Sequence, residues 1–218
     1  MIAALKDKYY GLRIKAIRAL NMSNDDIHNA ALPVLASLAQ TDDNTLVRAA
    51  AITALGKLKA SGNMDIFKQA LSSQSYAVQG AALTAINLLD LKQALPLAKG
   101  FEKDNKGPLT QAIITVYSTS GGDAEWPYVM NAFNEAGPQG KFTMARNFAA
   151  MTGHVENPVY AQQGIAAFKE IGVKYKKFGV GPFVTGMLAD IKAQRIKLKD
   201  DASAKAADDA TQAVNDAK

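Results

Sequence analysis

The chain has 218 residues, 48% hydrophobic and 21% charged, enough apolar matter for one large domain or a short repeat array and too much for a disordered chain. Its 25 Lys and Arg against 20 Asp and Glu give a formal net charge of +5. The lack of cysteine excludes a disulfide framework or a thiolate zinc site and leaves the redox compartment open. No window approaches the roughly twenty apolar residues that a bilayer span needs. The run Met1 to Leu5 is too short for the hydrophobic region of a signal peptide, so no export signal is read and the compartment is unknown.

In chain order, YYGLRIKAIRAL reads as a helix in which Leu12, Ala16, Ile17 and Leu20 fall at offsets of zero, four, five and eight. With about 3.6 residues per turn those offsets make one apolar stripe. Ser23 in MSNDD is placed to cap the next helix, on which His28 occupies a polar, solvated position. Asp42 or Asp43 in TDDN is placed to cap the helix from Val47, whose stripe is Val47, Ala51, Ile52 and Leu55. The offsets return at Val78, Ala82, Leu83 and Ile86, and again at Leu109, Ile113, Ile114 and Tyr117. Pro96 either kinks LKQALPLA or marks its first turn, and Pro108, Pro138 and Pro158 suit first helical turns, where no N–H is missed. Gly121, Gly122 and Gly153 are expected to break the chain between helices.

Anchor to anchor, the steps are 35, 31 and 31 residues, so the unit is a helical hairpin repeated along the chain. A fifth, degenerate copy starts at Phe142, its core shifted to Phe148 and Met151. No period-two run argues for a sheet.

Asp43, Val47, Arg48, Ala50, Ala51, Ala54, Leu55 and Gly56 resemble the second-helix signature of HEAT-type repeats. Asp7, Leu12, Arg13, Ala16 and Leu20 repeat it, and Val78, Gln79, Ala81, Ala82 and Ile86 repeat it with the arginine lost. The resemblance covers residues 1 to 118 and fades beyond them. It implies an all-α fold: an α-solenoid, a HEAT-like superhelix of antiparallel helix pairs, with a divergent C-terminal helical segment. More loosely, the first repeat, NPVYAQQGIAAFKEI and the IKAQRIKLK helix are similar to the helical C-terminal region of aminopeptidase N-like zinc metallopeptidases. That resemblance implies an accessory region, with zinc held elsewhere in a parent enzyme. The His-Glu-x-x-His motif of that family is absent, since His28 and His154 are the only histidines, and no catalytic residue carries over.

Other candidate chemistry reads as structural. His154 and Glu156 form a His-x-Glu, but a deaminase-type zinc site also needs cysteines. HEAT-like alkylpurine DNA glycosylases use aspartate, tryptophan and arginine, yet Asp123, Glu125 and Trp126 read as a helix start: a cap, a dipole partner and a packing residue.

The basicity is local. Between Lys169 and Lys199 eight basic residues face Glu170 and Asp190, and Lys174, Lys176, Lys177, Lys192 and Arg195 form a possible basic surface patch. The lysines of KYKKFGVGPF are expected to coat solvent faces, its aromatics to fill the core, and Gly179, Gly181 and Pro182 to make a turn. The Ala- and Asp-rich end from Asp200 reads as a helix-prone or frayed tail that buries little.

The organisation expected is HEAT-like repeats over 1–155, C-terminal helices packed on them over 156–199, and a tail over 200–218. Function is expected to lie on the surface of one row of helices: a non-catalytic structural or protein-interaction module with no cofactor of its own. The aminopeptidase resemblance makes it the C-terminal accessory region of a zinc metallo-aminopeptidase, its partner an N-terminal catalytic domain of the same polypeptide. The alternatives are a free-standing scaffold for another protein and, behind it, a DNA-binding HEAT protein using Lys174, Lys176 and Lys177.

Overall fold

The computed structural model describes residues 2–217. Among them are twelve α-helices and no strand: α1 (Tyr10–Ala19), α2 (Asp25–Thr41), α3 (Thr45–Lys57), α4 (Met64–Ala70), α5 (Tyr76–Leu89), α6 (Leu91–Gly100), α7 (Pro108–Ser120), α8 (Trp126–Glu135), α9 (Pro138–His154), α10 (Pro158–Lys174), α11 (Gly181–Lys197) and α12 (Asp201–Asp216). Single 3-10 turns occupy Ile2–Lys6, Ser61–Asn63 and Lys176–Phe178. The chain divides into two compact units, Met1–Val116 and Tyr117–Lys218.

The first unit is two layers of helices. α1, α3 and α5 pack side by side in one row, while α2 packs on α3 and α4 on α5 from the other layer. The repeated stripe is the seam between the layers. Val47, Ala51, Ile52 and Leu55 of α3, Ala82, Leu83 and Ile86 of α5, and Leu109, Ile113 and Ile114 of α7 are all wholly buried, with Val78 nearly so. Facing them are Ala31 and Leu35 of α2, Phe67 of α4 and Ala94 and Ala98 of α6. Full burial of one Leu, Ile or Phe is worth about 1.5–3 kcal/mol, so this seam carries most of the unit's cohesion. The first copy departs from expectation. Ala16 and Ile17 are buried, but Leu12 is 45% exposed, α3 being the one row helix packed on α1 among the described residues.

The helix starts follow the chemistry anticipated, shifted by one or two residues. Asn24, not Ser23, caps α2, its Oδ1 accepting from the Ile27 N–H at 3.0 Å. Asn44 caps α3 through the Leu46 N–H at 3.0 Å. Asp42 is thereby released from capping, and both its oxygens accept from the Arg13 guanidinium at 2.8 Å. Pro108, Pro138 and Pro158 do begin α7, α9 and α10. Pro96 lies within α6 rather than in its first turn. Gly153 does not break the chain: it sits inside α9, where a built Cβ would lie 3.2 Å from the Gln194 side chain, so its lack of a side chain serves packing on α11.

In the second unit α9 packs on α8, α10 and α11, and α12 packs on both α10 and α11. The end expected to be helix-prone or frayed and to bury little is helical, as the first alternative has it, but is a core helix. Ala-rich α12 buries Ser203, Ala204, Ala207, Ala210 and Val214, because small side chains let it lie close to its neighbours. The core is aromatic. Phe133 and Phe148 stack with centroids 3.9 Å apart, Trp126 stacks on Phe148 at 5.5 Å and Tyr160 at 5.8 Å, and Trp126 Nε1 donates to Gln163 Oε1 at 3.1 Å. The degenerate repeat does shift its core as expected, Phe148 and Met151 being wholly buried.

Two expectations follow. A Cβ on Gly80 would lie 2.6 Å from the Pro108 carbonyl oxygen, where α5 meets the start of α7. Gly80→Ala should therefore lower stability by about 1–3 kcal/mol, as overpacking does, read by chemical denaturation. A stabilising effect would show that the contact gives way freely. In the second unit, burial alone would raise the Asp200 carboxyl, but hydrogen bonds from Ser203 and the Arg195 guanidinium outweigh it and hold Asp200 below its ordinary value. The pair's contribution is then full above the ordinary aspartate range, near about pH 4, and is lost as pH falls through the depressed folded value. Asp200→Asn leaves a buried guanidinium unpaired and should cost about 3–5 kcal/mol at neutral pH, with a flatter acid limb, read from the fluorescence of Trp126, the one tryptophan.

Candidate interaction surface

The row α1, α3, α5, α7 presents its outer face as a groove of about 710 Å³ in the first unit. The period explains its shape. Positions 31 residues apart stack across neighbouring helices, so Ala50, Ala81 and Ala112 form one rung and Thr53, Thr84 and Thr115 the next. Small side chains on consecutive helices leave a channel where larger ones would fill it. The threonine hydroxyls donate within their own helices, Thr53 to the Ala49 carbonyl and Thr84 to the Gly80 carbonyl at 2.8 Å, and Thr115 to the Gln111 carbonyl at 2.9 Å. Covering them with a partner therefore strands no hydroxyl donor. At the rim Leu46 is 52% exposed, and the charged residues of the lining are Arg18 and Lys57, with no carboxylate. The threonine rungs are visible in the sequence as a 31-residue recurrence, but an anchor chosen for apolar residues passes over them.

The basic segment of the second unit does not form the patch that its composition suggests. Arg195 is 1% exposed and lies in the core. Its guanidinium pairs with Asp200 at 2.5 Å and donates to the Gly153 and Val155 carbonyls at the end of α9, which a buried cation needs in place of water. Lys192 pairs with Asp208 at 2.7 Å, an exposed contact worth about 0–1 kcal/mol. Lys176 Nζ donates to the Asn215 and Ala217 carbonyls at the end of α12, favourable for a cation at a helix C-terminus. Lys174 and Lys177 remain exposed, each over an aromatic ring, at 5.6 Å from the Tyr175 centroid and 5.3 Å from the Phe178 centroid. The expected aromatic core fails here too, since Phe178 is 69% exposed and Tyr175 and Phe183 are half-buried. Gly179, at φ 76°, does make the turn, whereas Gly181 and Pro182 already belong to α11.

The remaining candidates are structural members of the second unit. Asp123 does not cap α8. Its carboxylate accepts from the Glu156 N–H at 2.9 Å and the Asn157 N–H at 3.1 Å, tying the α7–α8 connection to the start of α10. Glu125 accepts from the Gly122 N–H at 2.8 Å and is buried, and Trp126 is 1% exposed. Asp123 is thus committed to backbone N–H groups and Trp126 to the core. His154 ends α9 rather than lying in a loop, its Nε2 placed at 3.1 Å to donate to the Gly121 carbonyl. His28 is half-buried on the first turn of α2. Among the described residues no three His, Asp or Glu side chains gather in a group that could hold a metal ion, and no helix is long and apolar enough to cross a membrane.

No curated protein matches the chain. The family model described as HEAT repeats matches residues 1–65 and 32–118. That span takes in the period, the buried stripes and the helix-pair layers of the first unit, and on it the chain belongs to the HEAT-repeat family.

Proposed function

We propose that this chain is a protein-interaction scaffold whose binding surface is the groove of the α1, α3, α5, α7 row. The observation that carries the reading is the stacked run of Ala and Thr positions, a preformed channel in which no hydroxyl needs a new partner. HEAT repeats serve generally as helical scaffolds for protein partners, which agrees with it. Arg18 and Lys57 in a lining without acids select a segment with apolar side chains in the channel and Asp or Glu at its flanks. Main-chain rigidity comes from the buried seam beneath, so the ordering cost on binding falls mainly on the partner.

Ala81→Glu should weaken capture of a partner from source-cell extract at least about tenfold, whereas Asn29→Glu on exposed α2 should not. Equal capture by both variants would remove the groove from the interface.

A finer version rests on the similarity of the first repeat and of the α10 and α11 sequences to the C-terminal helical region of aminopeptidase N-like enzymes. On that version the partner is a zinc-bearing catalytic domain of the same polypeptide, and the scaffold shapes access to its cleft. Antibody capture of the native protein decides it. A species several-fold larger than 23.2 kDa that carries zinc and cleaves aminoacyl substrates supports the enzyme parent, and a metal-free species of 23.2 kDa overturns it.

A further inference from the structure

The position five residues before each stripe anchor holds Asp7, Asp42, Ser73 and Asp104. At the two later aspartates the preceding repeat supplies a donor. Arg13 pairs with Asp42 at 2.8 Å, and the Tyr76 hydroxyl donates to Asp104 at 2.8 Å. The middle rung is broken. Arg48 stands where Arg13 stands one repeat earlier, but the acid it would meet is replaced by Ser73. Its Nε is buried without a hydrogen-bond partner, and among the described residues its guanidinium forms no ion pair.

What surrounds Arg48 is chemically one-sided. It lines a pocket of about 750 Å³ with Gln69, Ser72, Ser73, Gln74 and Ser75, and no Asp or Glu is among the lining residues. Ser75 precedes α5 but makes no side-chain capping bond, whereas Asn44 at the matching position of α3 does. The N–H groups of the first turn of α5 therefore have no side-chain acceptor. Arg48 is half-buried, and its buried Nε has given up water with no partner in return, in a pocket that also holds three serines and no carboxylate.

We propose that this pocket binds a phosphate group, with Arg48 as its charge partner and Ser72, Ser73 and Ser75 as hydroxyl donors. Guanidinium recognises phosphate by paired N–H donation, and a tetrahedral oxyanion offers enough acceptors for the serines as well, which a carboxylate with two oxygens does not. The pocket shares no lining residue with the α1, α3, α5, α7 groove, so the proposal does not rest on the scaffold reading.

The test is titration of the isotope-labelled 218-residue chain with O-phosphoserine, inorganic phosphate and sodium acetate in parallel, followed by amide NMR. Saturable shifts at Ser73 to Val78 with either phosphate probe, at least about tenfold tighter than with acetate, support the site. The tighter of the two tells whether a phosphate monoester or the free ion is its ligand. The shifts should vanish in Arg48→Gln. They should also vanish in Ser73→Asp, which restores the missing acid and should melt at a higher temperature than the parent chain. The proposal is overturned by no shift at Ser73 to Val78, by acetate matching phosphate, or by binding that persists in folded Ser73→Asp.

Discussion

Everything in the first unit depends on a stripe of side chains at offsets of zero, four, five and eight along each row helix, because a helix pair standing alone would leave one side of that stripe in water. Val47, Ala51, Ile52 and Leu55 are wholly buried since α1, α2 and α5 all close on α3. The same demand sets the groove. Once one side of a row helix is committed to the seam, its opposite side must stay slim enough for neighbours to align, and Ala50, Thr53, Ala81 and Thr84 are what remain there. The buried seam and the outer groove are two consequences of one period.

The second unit reaches a comparable packing by another route. Its repeat pattern is weak, and the work passes to large aromatic side chains and one buried cation. Trp126, Phe133, Phe148, Tyr160 and Phe168 form a connected stack across α8, α9 and α10. Arg195 then binds carbonyls at the end of α9 from α11, while Asp200 both neutralises it and caps α12 through the Ser203 N–H at 3.1 Å. One carboxylate thus joins a helix start to a buried charge, which specifies where α12 begins.

The polar ladder between repeats links architecture to chemistry. Arg13 with Asp42 and Tyr76 with Asp104 show that a donor from one repeat is matched to an acid in the next. Such a pair costs desolvation and returns it only when both members are present. A repeat that keeps the arginine and loses the acid has therefore retained a charge without an internal use, and that makes Arg48 informative. A comparison of Asp7, Asp42, Ser73 and Asp104 shows the missing acid in the sequence, but not that Arg48 has found no substitute.

The sequence by itself determined the all-α class, the hairpin unit, the stripe residues from Val47 to Tyr117, the proline helix starts and the shifted fifth core, because each is set by local periodicity or backbone sterics. It also placed these residues in the HEAT type. It misplaced whatever depends on which helix lies opposite. Arg195 looked like one more lysine-rich surface position until α9 and α12 closed around it, and Leu12 looked like core although it is 45% exposed on α1. The Ala- and Asp-rich end looked able to bury little, yet small side chains are what let α12 settle against α10 and α11. Charge and hydrophobicity are properties of a residue, whereas burial and pairing belong to the neighbours that the tertiary fold supplies.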